Sequence, residues 1–324
     1  MRYRKLGKAG FAVSEIGCGT WGMGGNLWFG GSDAESLAAL QRAFELGVNF
    51  IDTALVYGDG HSEELVGQAL PNAGQKVYVA TKVPPKNRQW PARPDASLEE
   101  VFTYDHIIES TEESLRNMRI EAVDLQQLHV WNPAWLERDE WKRALQDLKQ
   151  SGKAKAVGVS ANDHQPDSVL ELVATGLVDT VQVIYNVFDQ VAAERLFPVA
   201  EQHDVGVIAR VPLDEGGLTG KIRVDTQFDP RDFRSRYFRG DRKQEVVERV
   251  DALIGELGID SSALPEIALR FCLSHPAVAS VIPGTRDPRH VESNADASEK
   301  GPLSAGTLAT LRRHAWPHNF YGRE

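Results

Sequence analysis

With 324 residues, 42% of them hydrophobic and 25% charged, the chain has the composition of a globular protein with enough apolar surface for a large core. No run approaches the roughly 18 apolar residues of a membrane span, and a formal net charge of −10 argues against nucleic acid or acidic membrane as a partner. The charged amino terminus MRYRKLGKAG lacks the apolar segment of a secretory signal, so a cytoplasmic location is expected, and Cys18 and Cys272 read as buried free thiols.

In chain order, RYRKLG and FAVSEI flank Lys8 to Gly10 and predict a β-hairpin able to cover the bottom of a barrel. Short apolar stretches then alternate with longer amphipathic ones. The predicted strands are IGCGT from Ile16, FID from Phe50, VYVATK from Val77, VDLQQLH from Val123, AVGVS from Ala156, TVQVIY from Thr180, GVIAR from Gly206 and VASVIP from Val278. Between the first two, Ser32 and Glu35 have the spacing of a capping box, and Leu37, Leu40 and Phe44 fall on one helix face. Further helices are predicted from His106, from Glu140 to a stop at Gly152, and from Leu303 to His314. Eight beats of strand then helix predict an α/β fold, a (β/α)8 TIM barrel spanning residues 1–324 as one domain, with an N-terminal β-hairpin and an extra C-terminal helix. An open doubly wound sheet competes, but its glycine fingerprint must open a helix. GCGTWGMGG has the glycines, yet helical sequence begins only after Ser32.

Four residues end or follow these strands: Asp52 after Ile51, Tyr57 five residues later, Lys82 near the end of its strand and His129 after Leu128. Barrels of this kind carry their chemistry at that end. A phenol keeps its proton to about pH 10, so a lysine beside Tyr57 is needed if the proton is to be given up near neutrality. Taken singly, Asp52 reads as a turn cap and His129 as a core histidine; their joint occurrence is the signal. A metal-dependent barrel hydrolase would need several ligands, but IGCGT has no His-x-His pair and His129 has no evident companion.

DTALVYG, then TK, then LH, followed by GKAKAVGVS, PLDEGGLTGK and VIPGTRDPRHVESN, is an order in which the chain resembles the aldo-keto reductases, from the first hairpin to the last helix. The resemblance implies an eight-stranded barrel that uses NADPH/NADP+ to transfer hydride to an aldehyde or ketone. It makes Tyr57 the proton donor, Asp52 and Lys82 the charged pair behind it, and His129 the residue that orients the carbonyl. A rival within the same resemblance is a regulatory subunit like those of potassium channels, binding cofactor with little turnover.

The same resemblance assigns the cofactor's surroundings. Gly19, Thr20, Trp21 and Asp52 fall at the nicotinamide end, with Ser160, Asn162 and Gln182 at the carboxamide; here Ala161 separates a serine and an asparagine that are adjacent in many relatives. Arg210 stands where many relatives have an aromatic residue stacked on the nicotinamide. Its guanidinium can stack, favour an anionic substrate, or hold Asp214 or a phosphate. Pro212, Leu213, Gly217, Thr219, Gly220 and Lys221 run beneath the pyrophosphate. Arg234, in FDPRDFR, belongs to a covering loop within a stretch carrying eight lysines and arginines between Lys221 and Lys243. Gly284, Thr285 and Arg286 meet the 2′-phosphate, which implies NADPH over NADH, with His290 replacing a common glutamine or arginine and Asn294 at the adenine. Trp21, Trp28, Trp90 and Trp131, with Tyr57 and His129, are expected to line an apolar substrate mouth suited to bulky carbonyls or sugar faces. Trp316 and Phe320 either complete that rim or pin the tail.

Overall fold

The computed structural model describes residues 1–322. Strands β1 (Tyr3–Lys5) and β2 (Ala12–Ser14) form the antiparallel hairpin, with Tyr3 opposite Ser14. Leu6 and Val13, both fully buried, join Phe50, Ala80, Leu125, Ala156 and Ile208 in one apolar cluster. The hairpin therefore plugs the amino-terminal end of the barrel. The fit is close enough to require glycine, since a Cβ on Gly206 would lie 2.7 Å from Leu6 Cδ1.

Eight parallel strands follow: β3 (Cys18–Gly19), β4 (Phe50–Asp52), β5 (Tyr78–Val83), β6 (Val123–Leu128), β7 (Ala154–Ser160), β8 (Thr180–Ile184), β9 (Gly206–Arg210) and β10 (Val278–Val281). Each pairs with its sequence neighbours. Bridges from Ile16 to Val281 and from Gly19 to Gly284 join the last strand to the first and close the ring. The fold is the (β/α)8 barrel, with the hairpin at its base and the helix Ala305–Arg313 appended.

Side-chain alternation divides each strand between two cores. Outward residues such as Ile51, Val79, Val157, Val181 and Val207 pack with the helices. The predicted capping box holds: Ser32 Oγ accepts from the Glu35 amide while Glu35 accepts from the Ser32 amide. The helix expected from His106 starts earlier, at Tyr104, because Thr103 caps it by accepting the His106 amide. Within the basic stretch, Asp232 caps a short helix, Phe233–Tyr237, and Lys243 already lies in the helix Arg242–Leu257. Both cysteines are free and buried, and burial pushes the Cys18 thiol up to about 12. Among the described residues no helix is long and apolar enough to cross a membrane, and no cluster of His, Cys, Asp and Glu could hold a metal ion.

Candidate active site

Inside the barrel, five strands step from an apolar residue, or in one case a threonine, to a polar one two positions on. Phe50 leads to Asp52, Ala80 to Lys82, Leu125 to Gln127, Thr180 to Gln182 and Ile208 to Arg210. The lower residues of this series meet the hairpin, so the polar ones gather at the carboxyl ends. Asp52, Lys82, Gln127 and Gln182 are all at most 2% exposed. Such burial of polar groups is tolerable only with partners.

The partners are present. Lys82 Nζ donates to Asp52 Oδ1 at 2.5 Å, to the Thr53 carbonyl at 2.8 Å and to the Tyr57 hydroxyl at 3.4 Å. Asp52 Oδ2 accepts from Gln182 Nε2 at 2.7 Å and from Gln127 Nε2 at 3.3 Å. Tyr57 arrives on a turn closed by its own amide to the Ala54 carbonyl. The first loop presses against that turn, where a Cβ on Gly24 would meet the Tyr57 carbonyl carbon at 2.7 Å.

Burial opposes the charge of Lys82, but Asp52 and Tyr57 outweigh it and its pKa lies above the ordinary lysine value. For Tyr57 the balance corrects the expectation of a proton released near neutrality. Burial raises its pKa more than Lys82 lowers it, and Asp52 adds to the rise, so the phenol stays protonated. A proton donor must begin in that state. His129 stands edge-on to Tyr57, ring centroids 5.9 Å apart. Burial first, then the charges of Lys82 and Arg210, hold its pKa well below the ordinary range, so it is a neutral imidazole. Its Nδ1 is buried without a partner among the described residues.

The tryptophans divide. Trp21 lies 6.3 Å from Tyr57 and 5.6 Å from Trp28, and Trp90 lies 5.7 Å from His129 and is 39% exposed. Trp131 instead is 1% exposed and packs edge-on against Trp135 and Trp141, making it a core residue behind the site. Asn162 holds it there, donating to the Trp131 carbonyl and accepting its amide. Both polar ends of the Asn162 side chain are thereby occupied. Trp316 packs on Phe188 and Phe320, pinning the tail.

Arg210 does not hold Asp214. Its Nη2 donates to Asp163 Oδ1 at 2.7 Å and to the Ala161 carbonyl, while Asp214 accepts from Tyr237. Ser160 sits opposite Gln182 in the ladder. Thr20 is fully buried, with its hydroxyl donating to the Asp52 carbonyl and accepting from Ser62, so it ties β4 to the first loop. Gly19 is packed against the Ile282 carbonyl, and Gly284, its bridge partner, borders open space. Thr285 donates its amide to the Gly19 carbonyl. Pro212 and Leu213 lead into a tight turn in which a Cβ on Gly217 would strike Asp214 Oδ2 and one on Gly220 would strike the Ser261 carbonyl; Thr219 donates to the Gly216 carbonyl.

Arg234 is held by two hydrogen bonds to Asp232 and lies over the Trp28 ring. Arg286 is half buried, donates to the Phe29 carbonyl, and feels the charge of Arg234. Lys221 Nζ donates to His290 Nε2 at 3.3 Å, and Asn294 is buried one helical turn farther on. Lys221 and Arg286 thus bring two cationic groups beside His290, and among the described residues neither Lys221 nor Arg286 has a carboxylate partner. Such a cluster fits a phosphate. Gln127 is the site residue absent from the predictions; counting two residues on from buried Leu125 would have placed it inside the barrel.

Residues 15–315 match the model of the Aldo/keto reductase family. The chain is 29% identical to the aldo-keto reductase YhdN of Bacillus subtilis, over 90% of this chain and 87% of that one. It is 28% identical to the NADH-specific methylglyoxal reductase of Escherichia coli, over 91% and 92%. Among solved structures it is similar to an aldo/keto reductase from Klebsiella pneumoniae in complex with NADP and acetate, with a TM-score of 0.69, 26% identity, and 98% of this chain and 97% of that one covered.

Proposed function

The chain belongs to the aldo/keto reductase family, and from that premise we propose that it is an NADPH-dependent oxidoreductase in which Tyr57 gives the proton that turns an aldehyde or ketone into an alcohol. The observation that carries this reading is Lys82, fully buried between Asp52 at 2.5 Å and the Tyr57 hydroxyl at 3.4 Å. A fully buried ammonium is costly, and in this position it stabilises the phenolate that proton donation leaves behind.

Bound nicotinamide cofactor supplies the hydride. The chain's own residues do the rest. Tyr57 donates its hydroxyl proton to the substrate oxygen as negative charge develops there. Lys82 meets the resulting phenolate, and Asp52 keeps Lys82 charged and in place. Neutral His129 donates a ring N–H to the carbonyl oxygen, which orients it and withdraws electron density. Trp21, Trp28 and Trp90 give the substrate an apolar approach that excludes water. Ser160 and Gln182 serve the carboxamide, and the segment from Pro212 to Lys221 follows the pyrophosphate.

Arg286, Lys221 and His290 suit the 2′-phosphate that distinguishes NADPH from NADH. The Klebsiella neighbour holds NADP, whereas the Escherichia coli relative is named NADH-specific, so cofactor choice in this chain rests on that cluster. A panel of aldehydes, ketones, sugars and alcohols assayed with both cofactors tests the reading. Carbonyl reduction should be faster with NADPH, and Arg286→Ala should raise the KM for NADPH about tenfold or more while sparing NADH. Preference for NADH in the unaltered protein would overturn the role of Arg286. NADPH binding with negligible turnover across the panel would favour the regulatory-subunit alternative.

A further inference from the structure

Gln127 is fully buried at the top of β6, directly across the ladder from Lys82. Leu125, two residues below on the same face, is apolar, and an apolar side chain at 127 would avoid the cost of burying an amide. Its register partner is Gly158, where a Cβ would stand 2.2 Å from Thr180 Oγ1 and 3.3 Å from Gln127 Cγ. A side chain on β7 at this point would strike Thr180 first and crowd the Gln127 stem.

That amide has two contacts. Nε2 donates to Asp52 Oδ2 at 3.3 Å, and Oε1 accepts from Gln182 Nε2 at 3.5 Å. Gln182 Nε2 also donates to Asp52 Oδ2 at 2.7 Å. Asp52 therefore divides its oxygens, Oδ1 for the ammonium of Lys82 and Oδ2 for two amides. The two hydrogens of the Gln182 amide are likewise divided, one to Asp52 and one to Gln127. Within this cluster the Gln182 carbonyl oxygen accepts no hydrogen bond from the described residues.

We propose that Gln127 is a positioning residue that acts through Asp52 and Gln182 at once, a role that rests on the reading of Tyr57 as proton donor. Through Asp52, its donated hydrogen spreads the carboxylate charge. Less of the Lys82 field is then cancelled before it reaches Tyr57. Through Gln182, its accepting oxygen fixes which way that amide faces, with the NH2 turned to Asp52 and the carbonyl free to accept from an amide N–H. A carboxamide on the cofactor offers that donor.

The test uses the full-length protein with Gln127→Met, which keeps the length and removes both polar atoms, and Gln127→Glu, which donates only while protonated. Two readouts are taken: the pH profile of NADPH-dependent carbonyl reduction, and the affinity for NADPH relative to that for the adenosine half of the cofactor alone. For Gln127→Met, kcat should fall about tenfold and the alkaline limb, where Tyr57 loses its proton, should move up by about half a unit or more. NADPH should lose affinity while the adenosine half does not. Gln127→Glu should approach the unaltered protein at the acid end and fall toward the Met variant as its carboxyl ionises. An unchanged alkaline limb with an unchanged affinity ratio in both variants would reduce Gln127 to a filler of space, however much rate or stability is lost. If the unaltered protein reduces no carbonyl, or Tyr57→Phe keeps full activity, the parent reading fails instead, and the affinity ratio still decides whether Gln127 orients Gln182.

Discussion

Two buried polar clusters lie at the carboxyl end of the barrel. After β4 to β6, Asp52 and Lys82 have every charged atom engaged, and beside them His129 Nδ1 is buried without a partner among the described residues. After β7 to β9, His164 Nε2, Arg210 Nε and Asp214 Oδ2 are buried without a hydrogen-bond partner among the described residues, while His318 Nε2 has only a 3.4 Å ion-pair contact with Asp214 Oδ1. The first cluster is built from strands in register. The second is assembled from loops and from the tail, where His318 stacks on Trp316, Tyr321 stands edge-on to Tyr237, and Tyr321 donates to Glu215. Its backbone is strained as well, with φ of 54° at Val211, 49° at Asp214 and 52° at Glu215. Each unsatisfied buried group costs about 1–3 kcal/mol unless water reaches it. The contrast separates a rigid wall that carries the proton chemistry from a compliant wall where Arg210 and the tail border the same space.

The largest expected effect breaks the rigid wall. Lys82→Met leaves Asp52 charged and unpaired in the core, which should cost about 3–5 kcal/mol in urea unfolding and abolish reduction. The double variant Asp52→Leu/Lys82→Met should recover most of that stability and none of the activity, because the pair is kept for its field on Tyr57. Equal destabilisation in the single and double variants would show that the site is held by packing alone.

A smaller effect tests the compliant wall. Burial, with Asp214 and Asp163 adding to it, raises the Glu215 carboxyl to about 7. A raised acid binds more protons folded than unfolded, so its contribution to stability is complete below the ordinary glutamate pKa and is lost as pH rises toward 7. His318 acts in the same sense: burial opposes its charge, but Asp214 outweighs burial and raises its pKa. Stability measured by denaturant should therefore decline as pH rises through the neutral range. Glu215→Gln should flatten much of that slope and stabilise the protein at pH 8 by at most about 3 kcal/mol. An unchanged slope would mean that Glu215 is already hydrated and the contrast between the walls is weaker than drawn.

The rigid wall was largely legible in the sequence, because period-two alternation places Asp52, Lys82 and His129 at strand ends and Tyr57 just beyond. The compliant wall was not. Which carboxylate Arg210 takes depends on how far the loop after β7 folds back, and Asp163 rather than Asp214 lies within reach. Trp131 follows a strand as Trp90 does, but Asn162 binds its backbone and turns it into the core. The helix His61–Ala69 is opened by Gly60 at φ 95° with no capping side chain, so no side-chain signal marks its start. Gln127 was hidden by an adjacent glutamine, Gln126, which alternation sends to the opposite face.

The central claim is that Tyr57 gives the proton. Single-turnover oxidation of NADPH by a simple aromatic aldehyde, followed for the unaltered protein and for Tyr57→Phe, tests it most directly. The predicted result is a loss of about 10²–10⁴-fold in the chemical step with NADPH binding retained; a variant that turns over within about twofold of the unaltered protein would contradict the claim, since a general acid is worth far more than that.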